Sequence, residues 1–146
     1  FAARLRSRPG SPPIAAAGLL RRMFAVLPPD PRMAALARRL RAAGVRTALL
    51  SNTWGGAEGH DPAELEAVFD AVVLSHEVGL RKPDPEIYAL AARRLGVPPE
   101  ACVVVDDLIT NVTAAGAAGM RAILHQDGPA TIAALEAIFG VTAPVR

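Results

Sequence analysis

Three short stretches of this sequence carry side chains that can do chemistry together: Ser51-Asn52, Lys82 and Asp106-Asp107. The first offers a hydroxyl and an amide, the second an ammonium, the third two adjacent carboxylates. Those are the parts needed to hold a phosphoryl group and a Mg²⁺ ion. Hydroxyl and backbone N–H groups bond phosphate oxygens, and an ammonium offsets their charge. Carboxylates supply the hard oxygen ligands of Mg²⁺, which takes one or two of them beside water and phosphate. Lys82 also stands out by composition, as the single lysine beside fifteen arginines. An ammonium is a compact point charge with three rotatable donors, whereas a guanidinium is a wide planar fork. A tight site that must touch a phosphate oxygen and a carboxylate together favours the first.

Each piece alone has an ordinary reading. Ser51 fits a turn or a cap, Asp106-Asp107 fits a helix cap, and Lys82 fits a solvated surface. Paired acids at a buried strand end cost more than a cap normally warrants, which favours a site. His60, His76 and His125 lack metal-ligand spacing and read as structural or surface residues. Cys102 opens an apolar strand and reads as core packing. Trp54 fits a pocket wall and a packed shoulder equally well.

The elements that must position these groups follow from the pattern. "FAARLRSRPGSPP" is basic, then rich in Gly, Pro and Ser, and reads as a linker; "IAAAGLLRRMFAVL" has helical spacing. "DPRMAALARRLRAAG" reads as a helix, with Asp30 as cap, Pro31 at the first position and Gly44 as terminator. "VRTALLS" is a buried strand, and "NTWGGAEGHD" a loop leading to the helix "PAELEAVF". "AVVLS" is the next strand, and "DPEIYALAARRLG" a helix capped by Asp84. "ACVVVDD" is a strand ending in the two carboxylates; "TNVTAAGAAG" is a helix, "RAILH" a strand and "TIAALEAIFG" a closing helix. Strands alternating with helices predict an α/β fold with a Rossmann-like parallel sheet flanked by helices. In such sheets ligands bind at the carboxyl ends of the strands, where all three stretches fall.

Composition narrows the function. With 51% hydrophobic and 21% charged residues the chain reads as one globular domain of 146 residues. A net charge of +2 and 4% aromatics give neither a basic run nor stacking platforms, so nucleic acid is not an expected partner. One cysteine excludes an intrachain disulfide framework, and no apolar run reaches membrane-spanning length. A soluble, cytoplasmic protein is the expectation. Oligomeric state has no signature here.

The motifs together resemble those of the haloacid dehalogenase-like hydrolase superfamily. "TALLSNTW" looks like its second motif, "VGLRKPDPEIY" its third and "VVVDDLITN" its fourth; "FDAVVLSHEVG" and "AAGAAGMRAIL" match connecting phrases. The likeness runs from about Pro28 to about Gly140 and points to the phosphatase-type N-terminal domain of soluble epoxide hydrolases and related bacterial phosphatases. The resemblance implies a Mg²⁺-dependent hydrolase of small phosphate monoesters, acting through a phospho-aspartate. Ser51 and Asn52 would grip the phosphoryl group, Lys82 would serve it and the nucleophile, and Asp107, supported by Asp106, would hold the metal. The family's first motif, a central apolar strand running into Asp-x-Asp, is absent from these 146 residues. The resemblance therefore implies a core, residues 28–146, that lacks its central first strand, preceded by a linker and cap remnant over 1–27. On that reading the nucleophile comes from an N-terminal segment not present here, and the 146 residues alone are inactive. The alternatives are a non-catalytic relative that binds phosphorylated ligands or a protein, and a 2-haloacid dehalogenase, which needs no metal. A phospho-receiver domain is disfavoured, because its acidic pair precedes the hydroxyl and lysine in the chain.

Overall fold

Aspartates mark the starts of three helices. Asp30, Asp84 and Asp127 each accept a hydrogen bond from a backbone N–H of the first turn, those of Arg32, Glu86 and Ala130, at 2.8, 3.0 and 2.8 Å. Each helix also carries proline in that turn, where a missing N–H costs nothing. In this computed structural model, residues 30–53 and 62–142 are described. In chain order they form α1 (Pro31–Ala42), β1 (Ala48–Ser51), α2 (Pro62–Val68), β2 (Ala71–Leu74), α3 (Ser75–Val78), α4 (Pro85–Leu95), β3 (Val103–Asp106), α5 (Ile109–Ala117), β4 (Arg121–Leu124) and α6 (Gly128–Phe139). A 3-10 turn at Pro99–Ala101 precedes β3. The expected linker and cap remnant, the helix "IAAAGLLRRMFAVL", Trp54 and His60 lie outside the described residues.

All four strands pair in parallel. β1 lies against β2 with Ser51 opposite Leu74, and β3 against β4 with Asp106 opposite Leu124. Among the described residues no ladder joins the two pairs, so the sheet consists of two two-stranded halves. The unbroken apolar runs of the strands follow from cover on both faces. Val104 packs with Ile87, Tyr88 and Ala115 of α4 and α5, while Val103 and Val105 pack with Leu36 of α1 and Leu135 of α6. Alternate residues of one strand thus enter two cores, and both must be aliphatic.

The N-terminal ends of β1 and β2 are latched together. Asp70 accepts the Thr47 N–H at 2.8 Å and the Arg41 Nε–H at 2.9 Å, and the Thr47 hydroxyl donates to Val68 O at 3.0 Å. The carboxyl ends of the strands, at Ser51 and Asp106, are the opposite end of the sheet. Two elements differ from the sequence pattern. The chain after β2 forms the one-turn helix α3 before the lysine loop, closed by Gly79 at φ +70°, a left-handed conformation that favours glycine. Helix α6 starts at Gly128 instead of Thr131, because the Asp127 cap recruits Gly-Pro-Ala into its first turn.

Candidate active site

Lys82 joins the two half-sheets at their carboxyl ends. Its ammonium donates to Leu50 O of β1 at 3.0 Å and to Asp106 Oδ2 of β3 at 2.6 Å. One of its three donors remains. The Asn52 amide holds the lysine by its main chain: Oδ1 accepts the Lys82 N–H at 2.8 Å, and Nδ2 donates to Lys82 O at 2.9 Å. The loop turns at once, with Asp84 N–H donating to Arg81 O at 2.8 Å and a cis bond between Lys82 and Pro83.

Asp106 is the most enclosed charge of the site, its side chain 3% exposed against 14% for Lys82. Oδ1 accepts the Leu108 N–H at 2.9 Å and Asn111 Nδ2–H at 2.8 Å, leaving Oδ2 to the lysine. Burial alone raises the Asp106 pKa. The bonds from Lys82, Leu108 and Asn111, with the charge of Lys82, outweigh burial and hold it below its ordinary value. Asn111 is itself buried, and its carbonyl accepts the hydroxyl of the fully buried Tyr88 at 2.9 Å. Asn111 and Tyr88 were not foreseen from the sequence, although both lie inside the quoted motifs.

Asp107 contrasts with its neighbour. It is exposed and has no hydrogen-bond or ion-pair partner among the described residues, and the half-buried Ser51 hydroxyl has none either. Three of the five expected site residues, Asn52, Lys82 and Asp106, therefore form one bonded network, and the other two adjoin it with free polar groups. For a cation the two carboxylates are unequal. Both oxygens of Asp106 are committed to protein donors, whereas Asp107 offers an open carboxylate beside that buried negative charge. The donor chemistry fits a hard divalent ion with one protein carboxylate and further oxygen ligands, as Mg²⁺ accepts. Among the described residues no three His, Cys, Asp or Glu side chains gather to complete a protein-only cage.

The loop after β1 is tied to the start of α3. Thr53 N–H donates to Ser75 Oγ at 2.8 Å, and Ser75 Oγ–H donates back to Thr53 O at 3.0 Å. His76 and His125 each pair a ring nitrogen with a threonine hydroxyl, of Thr53 and Thr131, at 2.5 and 2.8 Å. Cys102 is half-buried against the α4 core, and burial pushes its thiol up, with Glu100 adding to the effect. Between the half-sheets lies a cavity of about 170 Å³, lined by Leu49 and Leu50 of β1, Val104 and Asp106 of β3, Tyr88 and Lys82. β1 and β3, which line it together with α4, pair with each other through no ladder among the described residues.

A model of the haloacid dehalogenase-like hydrolase family matches residues 9–119. The chain is 32% identical over 139 residues to the sesquiterpene phosphatase astK of Aspergillus oryzae, covering 93% of this chain and 70% of that protein. It is 33% identical over 108 residues to bifunctional epoxide hydrolase 2 of Sus scrofa, covering 70% of this chain and 20% of that protein. The chain thus spans a fifth or less of the length of the mammalian relatives it matches. A crystal structure of an uncharacterized protein from Corynebacterium glutamicum superposes with a TM-score of 0.74 at 31% identity, over 89% of this chain and 94% of that one. The match over most of the chain, and a lysine bonded across the strand ends to a buried carboxylate, place it in one family: this chain belongs to the haloacid dehalogenase-like hydrolases.

Proposed function

We propose that these residues are the phosphate-holding and cation-holding part of a Mg²⁺-dependent hydrolase of small phosphate monoesters. The observation that carries the reading is the Lys82 ammonium, fixed between Leu50 O and Asp106 with one donor left, beside two groups without a partner among the described residues, the Ser51 hydroxyl and the Asp107 carboxylate. Ser51 and the free lysine donor bond phosphoryl oxygens, and Asp107 holds the ion. Bound there, Mg²⁺ would neutralise charge on the phosphoryl oxygens. Asp106 holds Lys82 in place. The nucleophilic carboxylate comes from a segment outside this sequence, seated as a strand between β1 and β3. The unpaired edges and the cavity between them support that seat, since buried strand edges without partners are costly. The resemblance to phosphatases, astK among them, supports the reaction class.

The test is binding of inorganic phosphate by titration calorimetry, with and without Mg²⁺. The expected result is binding that Mg²⁺ strengthens, with the Mg²⁺ effect lost in Asp107→Asn and the binding itself lost in Lys82→Ala. Equal binding by all three proteins would contradict the reading.

A second reading is a non-catalytic relative that binds phosphorylated ligands. The coding sequence upstream of Phe1 separates the two. An in-frame apolar strand ending in Asp-x-Asp selects the enzyme, and a start codon at that point selects the binding protein.

A further inference from the structure

We propose that Asn52 and Asn111 are positioning residues that fix the Lys82 ammonium from two sides. The role of Lys82 toward phosphate rests on the reading above. The holding of Lys82 does not.

An asparagine amide has one acceptor oxygen and two N–H donors. In Asn52 the oxygen and one N–H are both spent on the main chain of a single residue, the N–H and the C=O of Lys82, at 2.8 and 2.9 Å. Two opposed bonds to one peptide segment act as a miniature strand pairing. They fix both the distance of that segment from β1 and its rotation. Asn52 directly follows β1, so the lysine loop, thirty residues later, is set against the strand end whose Leu50 carbonyl its ammonium must reach. The bonds to Lys82 leave one amide N–H of Asn52 over; turning the amide as a whole toward a ligand would release the lysine loop.

Asn111 does the matching work on the other partner. Its Nδ2–H and the Leu108 N–H both bond Asp106 Oδ1, which fixes the carboxylate with Oδ2 toward Lys82. Asn111 is 4% exposed, and Tyr88, fully buried, donates to its carbonyl. A continuous series of bonds therefore runs from Asn52 through Lys82 and Asp106 to Asn111 and Tyr88. The ammonium at its middle keeps one free donor with a fixed origin.

The single lysine makes the test direct. Protein labelled with [ε-¹³C]lysine gives one side-chain CεH₂ signal, and a held side chain shows two inequivalent methylene protons. The comparison is run without phosphate, on the full 146-residue chain and on Asn52→Ala, Asn111→Ala and Ser75→Ala. Ser75→Ala cuts two bonds in the same loop but none to Lys82. The expected result is loss of the inequivalence in both asparagine variants and its survival in Ser75→Ala. Circular dichroism checks each fold. Should Asn52→Ala not fold, Asn52→Asp replaces it, since it keeps an acceptor for the Lys82 N–H but lacks the donor to Lys82 O; a reduced inequivalence is then expected. An unchanged Lys82 signal in a folded Asn52 variant overturns the proposal, all the more if that variant has lost inorganic phosphate binding. Absence of phosphate binding in the unsubstituted chain counts against the phosphatase reading alone, because the positioning claim is decided by the phosphate-free signal.

Discussion

Replacing Asp106 by asparagine removes one charge of the enclosed pair and leaves the shape nearly unchanged. Lys82 then faces an amide group across a 2.6 Å contact, with its side chain 14% exposed and little water to replace the lost partner. Breaking a buried pair by removing one member costs roughly 3–5 kcal/mol. The residual exposure of the lysine and its retained bond to Leu50 O set the expectation at the lower end, about 3 kcal/mol. For a domain of this size that corresponds to a fall in Tm of about 6–12 °C. The pH dependence has a definite sign. Asp106 titrates below its ordinary value of 3.8, so its contribution is present in full above that pH and is lost as pH falls through the lower folded-state value. The gap between the unsubstituted chain and Asp106→Asn, read from urea unfolding midpoints, is therefore widest at neutral pH and closes in acid below 3.8. The double variant Lys82→Met with Asp106→Leu loses less than Asp106→Asn alone, because no unpaired charge remains. A loss of under about 1 kcal/mol at pH 7, typical of an exposed ion pair, would refute the reasoning. So would a gap that persists unchanged in acid.

Three further outcomes follow from the packing. Tyr88→Phe removes the buried bond to the Asn111 carbonyl and lowers stability by about 1 kcal/mol in urea unfolding. Leu36→Ala empties a site 1% exposed between α1 and α6 and costs about 2–5 kcal/mol by the same measurement. The Cys102 thiol, raised by burial, reacts slowly with a disulfide reagent at pH 7 and faster as pH increases; rapid labelling at pH 7 would contradict its placement.

The sequence made most of the fold legible because its signals are local. Asp-Pro steps and terminal glycines delimit α1 and α4, and apolar runs ending in polar residues delimit β1 and β3. The short helix α3 escaped notice because four residues carry no periodicity, and the first turn of α6 because Gly-Pro reads as a breaker. Asn52, Lys82 and Asp106 were legible as a convergent set, since parallel strands bring their carboxyl ends to one side. The division of labour among them was not. The sequence does not show that the Asn52 amide oxygen and one of its two N–H groups bond the main chain of a residue thirty positions on. The resemblance implies Asp107 as the metal holder supported by Asp106, but not the burial and the three donors that commit Asp106. Such choices depend on which distant donor arrives, and spacing along the chain does not encode them.

The central claim is that these residues supply the phosphate and cation contacts of a hydrolase but not its nucleophile. The direct measurement is Mg²⁺-dependent turnover of p-nitrophenyl phosphate by the 146-residue chain and by the same chain carrying an upstream apolar strand ending in Asp-x-Asp. The account predicts no turnover by the first and Mg²⁺-dependent turnover by the second, abolished by Lys82→Ala or Asp107→Asn and strongly reduced by Lys82→Arg. Turnover by the unextended chain, or near-normal turnover with Lys82→Arg, would contradict it.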